Sequence, residues 1–237
     1  MNNLPTIYGF NKTSDAGPDV LAYSIFLGGC NLRCPYCMNS KLVTSVEQMI
    51  PIDFNIIKES IIKNNIQWVI ISGGEILLNT IDRLSDLITE IKNLGCKVGI
   101  STNGVLYSRL MVIIDKINYV ALDIKGNRNV YSKISNDKFS YENVLISKRF
   151  LSDEKNKRSD FDYEIRFTMY PVFMKESFGD ILSLINSDEK LVLQPYRHSS
   201  NMLDKNCNNV EPFTDEEINC YLSIAKKITS KSMVRTV

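Results

Sequence analysis

Residues 28–37 are Gly-Gly-Cys-Asn-Leu-Arg-Cys-Pro-Tyr-Cys, which places cysteines at Cys30, Cys34 and Cys37 in the spacing C-x3-C-x2-C. Three thiolates on one short loop can hold three corners of a four-iron cube, and no fourth ligand lies nearby in the sequence. One iron would then keep an open position at which a substrate or cofactor can bind and be reduced. The spacing therefore predicts a reactive iron–sulfur centre.

A structural zinc site is the alternative for this loop, because zinc also binds thiolates. Such sites close with four ligands, usually as two C-x2-C pairs. The other candidate ligands stand singly: Cys96 and Cys220 fit a strand and a helix as small packing residues, while His198 and Cys207 lie in polar loops without an assigned role. A disulfide framework requires export, and residues 1–5 do not resemble a signal peptide. We expect reduced thiols and a cytoplasmic protein.

Length and charge favour an enzyme that binds neither nucleic acid nor membrane. The chain has 237 residues, 44% of them hydrophobic, which suffices for the core of one domain. No apolar run approaches the length of a membrane span. The net charge of +1, from 28 basic and 27 acidic residues, offers no general attraction for polyanions. The mixed-charge run 148–160 is interpreted as a solvated connection.

Short β-rich apolar runs alternate with helical patterns along the chain, as in parallel βα units. Strands are predicted at 23–27, 68–72, 97–102, 119–124, 163–169 and 191–193. Helices are predicted at 53–63, 81–94, 106–117, 141–151, 177–186 and 214–228. Six units without a Pro/Gly-rich linker predict an α/β fold, a partial (β/α)6 barrel.

Polar segments follow the first four predicted strands. In parallel α/β folds the active site lies at the carboxyl ends of the strands. The cysteine loop follows the first strand, and the next three are followed by Ser72-Gly73-Gly74-Glu75, Ser101-Thr102-Asn103-Gly104 and Asp123-Ile124-Lys125-Gly126. All four segments should therefore meet at one rim of the barrel.

Several of these residues have chemistry that suits a charged ligand. Adjacent glycines let a ligand approach the backbone, and a neighbouring carboxylate can bind an ammonium group. Asp123 and Lys125 should point together into the barrel, facing a cofactor or forming a structural ion pair. Arg166 shares a strand face with Glu164, either as a buried pair or as a ligand contact.

This set of motifs resembles the radical S-adenosylmethionine (SAM) superfamily, which is defined by C-x3-C-x2-C after the first strand and Gly-Gly-Glu after the second. The resemblance implies a TIM-like partial barrel in one domain over 1–237, with a core at about 20–196 and a C-terminal helical extension at about 197–237. It also implies a [4Fe-4S] cluster held by Cys30, Cys34 and Cys37. SAM chelates the open iron, and reductive cleavage gives methionine and a 5′-deoxyadenosyl radical that abstracts hydrogen.

The resemblance extends to residues around the cofactor. Tyr36 would lie near the adenine, Gly73-Gly74-Glu75 would meet the methionyl amino group, and Arg166 would reach the SAM carboxylate or ribose. For Tyr36, simple packing is the alternative. The remaining cofactor-binding residues implied are Thr102, Asn103, Asp123 and Lys125.

Within the superfamily the chain is most similar to activating enzymes of glycyl radical proteins, particularly the activating proteins of anaerobic ribonucleotide reductase. The likeness runs from Gly17-Pro18 to Gln194-Pro195-Tyr196-Arg197. It implies a partner protein that loses a hydrogen atom from a backbone glycine. It also implies a flavodoxin or ferredoxin as the donor of one low-potential electron.

Three positions depart from the activase pattern. Met38 replaces a histidine after the third cysteine, and Ile76 replaces a proline after Gly-Gly-Glu. Ser101 replaces an aspartate that, in pyruvate formate-lyase activators, helps to bind a monovalent cation with the positions of Thr102 and Asp123. Losing one carboxylate should weaken such a cation site.

Other functions stay open on the sequence alone. A radical SAM enzyme could act on a small molecule, as 7-carboxy-7-deazaguanine synthases do, or on a ribosomal peptide. Those synthases usually have aspartate where this chain has Met38, and peptide maturases often carry further cysteine clusters. A non-catalytic zinc or iron–sulfur module is the alternative outside the enzymes.

Overall fold

One sheet organises the protein. The computed structural model describes residues 4–13 and 19–235, so Gly17-Pro18 lie outside the described residues. The described strands follow one another across the sheet in chain order. The first two pair antiparallel and all later pairs are parallel. The strands are β1 (Ile7–Thr13), β2 (Ala22–Leu27), β3 (Trp68–Gly73), β4 (Lys97–Thr102), β5 (Tyr119–Asp123), β6 (Asp162–Met169), β7 (Leu191–Pro195) and β8 (Met233–Val234).

Helices connect successive parallel strands. They are α1 (Ser40–Thr44), α2 (Phe54–Lys63), α3 (Ile81–Asn93), α4 (Tyr107–Ile113), α5 (Arg128–Ile134), α6 (Ser140–Lys157), α7 (Pro171–Ser183) and α8 (Asp215–Lys226). Asp53 begins α2 by accepting the backbone N–H of Asn55, and Thr214 and Glu217 form a capping box at α8. Across the described part of the chain, no helix combines the length and the apolar character needed to cross a membrane.

The core lies between the sheet and the helices. Strands such as β3 are apolar on both faces, with Val69, Ile70 and Ile71 all fully buried, as expected for a parallel sheet covered on both sides. The apolar spacing in α3 buries Leu84, Leu87, Ile88 and Ile91 against this sheet. The predicted α/β fold with a mainly parallel sheet is confirmed.

The sequence patterns missed the shortest and most polar elements. The strand β1 carries Gly9, Asn11 and Lys12, which hide its pairing with β2. The predicted helical extension contains α8 and also β8, a two-residue strand that pairs with β7. The helix α7 begins at Pro171, six residues before the predicted start, since proline is well suited to the first turn of a helix.

The interpretation of 148–160 as a solvated connection was wrong for most of the run. Residues 148–157 belong to α6, and Lys148 is buried. Its Nζ lies 2.7 Å from Oε1 of Glu189, which also accepts the hydroxyl of Tyr163. The other Glu189 oxygen accepts the backbone N–H of Asn186 at 2.6 Å. Lys148 is therefore buried because the Glu189 carboxylate accepts its hydrogen bond. The local charge composition cannot reveal a partner so distant in sequence.

Glu189→Ala should lower the free energy of unfolding by about 3–5 kcal/mol, because it leaves the Lys148 ammonium buried without its partner. The control is Lys133→Ala, which breaks the more exposed pair with Glu176 and should cost about 1 kcal/mol or less. Urea unfolding of the two variants measures both values. Equal losses in the two variants would contradict the conclusion that Glu189 compensates the buried charge of Lys148.

Candidate active site

A cavity of about 220 Å³ lies at the carboxyl ends of the parallel strands. Side chains from the cysteine loop and from the ends of β3 to β7 line it together, which confirms the predicted common rim. It brings together every predicted site residue except Glu75: Cys30, Cys34, Tyr36, Cys37, Gly73, Gly74, Thr102, Asn103, Asp123, Lys125 and Arg166.

The three cysteines are free thiols on one wall of this cavity. Burial is the main cause that raises the pKa of Cys30, and it raises the pKa of Cys34 to about 12. Without iron these two thiols are therefore protonated at neutral pH. Binding of iron must displace their protons, as is general for thiolate ligands.

The described residues contain no group of three or more His, Cys, Asp or Glu side chains arranged to hold a single metal ion. A four-iron cube takes one thiolate per iron, so its ligands need not converge on one point. The remaining cysteines lie elsewhere: Cys96 is buried just before β4, and Cys207 is buried in the C-terminal segment. Cys220 lies on α8 as predicted but is exposed, so the packing role expected for it was wrong.

Gly73 and Gly74 bring the end of β3 against the start of the cysteine loop. The N–H of Gly74 donates to the carbonyl of Leu27 at 2.9 Å, and the N–H of Glu75 donates to that of Gly29 at 2.7 Å. A Cβ on Gly74 would lie 1.8 Å from the Gly29 oxygen. Only glycine fits at this position. Both glycines line the cavity, and without a side chain their backbone is open to it.

The Glu75 carboxylate does not face the cavity, contrary to expectation. It is completely buried. Oε1 accepts the Thr102 hydroxyl at 2.8 Å and the Leu77 N–H at 3.1 Å, while Oε2 accepts the Asn103 N–H at 2.7 Å. Glu75 therefore ties the segment after β3 to the segment after β4, and the backbone of Gly73-Gly74 is what remains for a ligand.

Asn103 extends this connection to the cysteine loop. Its Oδ1 accepts the N–H of Val105 at 3.0 Å, which fixes the orientation of the amide. Its Nδ2 donates to Oδ1 of Asn31 at 2.7 Å and lies 4.0 Å from the Sγ of Cys30. The segment after β4 thus contacts the loop that carries the thiols.

Tyr36 is both a packing residue and a cavity residue. Its ring lies against Tyr170, with centroids 4.9 Å apart, and edge-on to Phe173. Its hydroxyl is buried and has no hydrogen-bond partner. A buried polar atom of this kind is unusual in a folded protein and suits a site that binds a polar group.

Asp123 and Lys125 face the cavity together, as predicted, with Lys125 Nζ 3.5 Å from Asp123 Oδ2. Burial lowers the pKa of Lys125, but the Asp123 carboxylate and the nearby cysteines, where these are ionised, outweigh it and raise the pKa overall. The lysine is therefore cationic beside the cysteine loop. Thr102, the third member of the possible cation site, already accepts the Gly104 N–H and donates to Glu75.

Arg166 and Glu164 form the predicted buried pair, with Nε 2.6 Å from Oε1. Arg166 also lines the cavity, so the buried pair is observed and a ligand contact stays a prediction. Its Nη1 lies 3.4 Å from the Ser101 hydroxyl, and its buried Nη2 has no partner. Burial raises the pKa of Glu164, but Arg166 and Arg235 outweigh it and lower the pKa overall.

Sequence patterns missed two contributions to this site. Thr168 lines the cavity and lies two residues after Arg166 on β6, so strand alternation could have found it. Arg235 donates to Glu164 from beyond β8 at the far end of the sequence. No local pattern marks such a long-range pair.

The buried Glu75 carboxyl should make stability depend on pH. Burial is the largest effect on its pKa and raises it from 4.5 to about 7, although three hydrogen-bond donors oppose the rise. Between these values the folded state binds more protons than the unfolded state, so the carboxyl subtracts stability as pH rises. We predict that wild-type stability relative to Glu75→Gln falls by about 2 kcal/mol from pH 5 to pH 8.

Urea unfolding of the metal-free protein at both pH values measures this difference. The same substitution at the exposed Glu59 of α2 provides the control. A wild-type minus Glu75→Gln difference that stays constant with pH would refute the prediction.

Comparison with known proteins identifies the family. The sequence model of the radical SAM superfamily matches residues 24–185, more than half of the chain. A 7-carboxy-7-deazaguanine synthase from Hyperthermus butylicus is 36% identical over 105 residues, which make up 44% of this chain and 44% of that synthase. A protein from Methanocaldococcus jannaschii, provisionally named a glycyl-radical enzyme activating enzyme, is 26% identical over 221 residues, 90% of this chain and 88% of that protein.

The fold has solved counterparts as well. The structure of TYW1 with a lysine-pyruvate adduct bound superposes with a TM-score of 0.59 at 16% identity, over 88% of this chain and 74% of that one. At this identity the likeness concerns the fold alone. The match of the family model, which includes the cysteine loop and the segments around the cavity, shows that the chain belongs to the radical SAM superfamily.

Proposed function

We propose that this protein activates a glycyl radical enzyme, of the anaerobic ribonucleotide reductase type, by abstracting hydrogen from a backbone glycine. The observation that carries the proposal is the alignment with the M. jannaschii protein, which spans 90% of this chain. The synthase from H. butylicus aligns with less than half. The likeness to the M. jannaschii protein extends beyond residues 24–185, the range that the model of the whole superfamily matches.

The cavity fits the cofactors that the family implies, SAM and a [4Fe-4S] cluster. Three thiols without disulfide partners line it. Two further lining residues, Tyr36 and Arg166, each have a buried polar atom without a partner, the hydroxyl of Tyr36 and Nη2 of Arg166. Buried polar atoms are nearly always hydrogen-bonded, so these two fit a polar ligand. A cavity that binds an apolar ligand would give neither the Tyr36 hydroxyl nor Arg166 Nη2 a partner.

We assign roles to residues on this basis. Cys30, Cys34 and Cys37 would hold the cluster, and the backbone of Gly73-Gly74 would bind the methionyl amino group of SAM. Tyr36 would lie beside the adenine. Arg166 would donate to the carboxylate of SAM, the ligand group that best matches a guanidinium.

When bound, the reduced cluster and SAM together supply a carbon-centred radical able to abstract hydrogen. The protein side chains have three tasks. Lys125, cationic beside the cysteine loop, offsets the negative charge of the thiolates. Thr102 and Asn103, each largely buried, hold Glu75 and keep the loops together. Burial of Tyr36 and Arg166 keeps water away from the reacting centre.

The partner glycine would enter past Met38, Asn39 and Arg197, three exposed residues that line the cavity. We further propose that residues 1–237 act as one radical SAM unit and take their electron from a flavodoxin or ferredoxin.

A second candidate function is synthesis of a 7-carboxy-7-deazaguanine-like product from a small molecule. The 36% identity over 105 residues favours it. Met38 stands where those synthases usually have aspartate and where activases commonly have histidine, so this position favours neither candidate. The alignment with the M. jannaschii protein over 90% of this chain favours the activase. The two candidates differ in their substrate and share the chemistry of SAM cleavage.

Electron paramagnetic resonance distinguishes these candidates. The cluster-reconstituted, reduced protein is mixed with SAM and the anaerobic ribonucleotide reductase of the same organism, and we predict a glycyl radical doublet. Accumulation of 5′-deoxyadenosine without the doublet would contradict the activase and favour the small-molecule enzyme. Absence of both would contradict radical SAM activity.

Cys34→Ala should abolish formation of 5′-deoxyadenosine and leave the fold intact, because Cys34 lies in a loop outside the strands and helices. The matched control is Cys220→Ser on the exposed face of α8, which should retain wild-type activity. Chromatographic detection of 5′-deoxyadenosine and circular dichroism measure the two properties. Continued production by Cys34→Ala would overturn the assignment of the cluster ligands.

A further inference from the structure

The Glu164 carboxylate accepts hydrogen bonds from two arginines in different ways. It is completely buried on β6. Arg235 donates to both oxygens of Glu164, with Nη1 2.5 Å from Oε1 and Nη2 3.0 Å from Oε2. Arg166 makes a single bond, from Nε to Oε1 at 2.6 Å. The carboxylate is thus shared between an arginine of the C-terminal segment and an arginine of the cavity, and the Lys190 ammonium lies 3.6 Å from its Oε2.

This sharing is unequal for a geometric reason. A guanidinium prefers to bind a carboxylate with two parallel N–H groups, one to each oxygen. Arg235 has this forked arrangement, so Arg166 cannot also have it. The Nη2 of Arg166 is left buried and without a partner, on a residue that lines the cavity.

The backbone holds Arg235 in this place. Its N–H donates to the carbonyl of Leu193 on β7 at 3.0 Å, directly after the parallel pairing of β7 with β8. Its Nη2 also donates to Oδ1 of Asp19 at 2.6 Å. The fork on Glu164 is therefore set by the end of the sheet and by Asp19.

We propose that Arg235 is a positioning residue for the cofactor. Because Arg235 occupies both oxygens of Glu164, Arg166 cannot bind that carboxylate with two N–H groups. Nη2 of Arg166 therefore stays available to the SAM carboxylate. Without Arg235, Nε and Nη2 of Arg166 would both turn to Glu164, and the cavity would lose this donor. The inference rests on the proposed binding of SAM.

Ser101 contributes to the same arrangement. Its hydroxyl is the other described contact of the Arg166 guanidinium, at 3.4 Å from Nη1. A neutral hydroxyl at this distance binds far more weakly than a carboxylate. Glu164 is therefore the competitor that matters for Arg166.

Ligand affinities of four proteins test the proposal. They are the wild type, Arg235→Met, Arg235→Lys and the double variant Glu164→Gln/Arg235→Met, each carrying an oxidised cluster so that the ligand is not cleaved. Anaerobic calorimetry measures binding of SAM and of decarboxylated SAM, which lacks only the carboxylate. The double variant matters most, because it removes the competing carboxylate together with Arg235.

Arg235→Met should weaken binding of SAM by about tenfold, the scale of one hydrogen bond to a charged group, and change binding of decarboxylated SAM by less than about twofold. Arg235→Lys should give an intermediate loss, because an ammonium cannot form the fork. The double variant should recover SAM affinity to within about threefold of the wild type, since Arg166 is then free again.

Equal weakening of both ligands in Arg235→Met, or a further loss in the double variant, would show a purely structural role and overturn the proposal. Unchanged SAM affinity in Arg235→Met would overturn it too, while the proposed function would stand. A wild-type protein that binds neither ligand would instead contradict the proposed function, and with it this inference.

Discussion

The site depends on the close approach of two backbones at the rim of the sheet. Gly73 adopts φ +116°, and a Cβ there would lie 2.3 Å from the Leu27 oxygen. Gly74 leaves even less room against Gly29. Two glycines in succession allow the segment after β3 to bond directly to the start of the cysteine loop. A ligand on the Gly73-Gly74 backbone is thereby placed beside the thiols.

Glu75, the acidic residue of the Gly-Gly-Glu motif, stabilises this close approach of the two backbones. Glu75 is completely buried and holds Thr102 and Asn103, and Asn103 in turn contacts Asn31 in the cysteine loop. Three segments that follow three different strands are thus joined by hydrogen bonds between protein groups. Such preorganisation lowers the cost of binding, because few groups must be ordered afterwards.

Local sequence patterns predicted six of the eight described strands, the rim and the cysteine loop, because periodicity and motif spacing are local properties. They predicted that Asp123 and Lys125 would face inward, which strand alternation determines. They failed where a partner distant in sequence decides the outcome: Lys148 is buried because Glu189 accepts its charge, and Glu75 turns inward because Thr102 and Asn103 offer donors. The contact between Arg235 and Glu164 could not be predicted for the same reason, because the two residues lie far apart in the sequence.

The proposed function requires that three cysteines hold a four-iron cube and leave one iron open for SAM beside Gly73-Gly74. Mössbauer spectroscopy of protein reconstituted with ⁵⁷Fe, recorded without and with SAM, tests this requirement. We predict four irons per chain and a change in the spectrum of one iron when SAM is added. A spectrum that SAM leaves unchanged, or protein that retains zinc and incorporates no cluster, would contradict the proposed function.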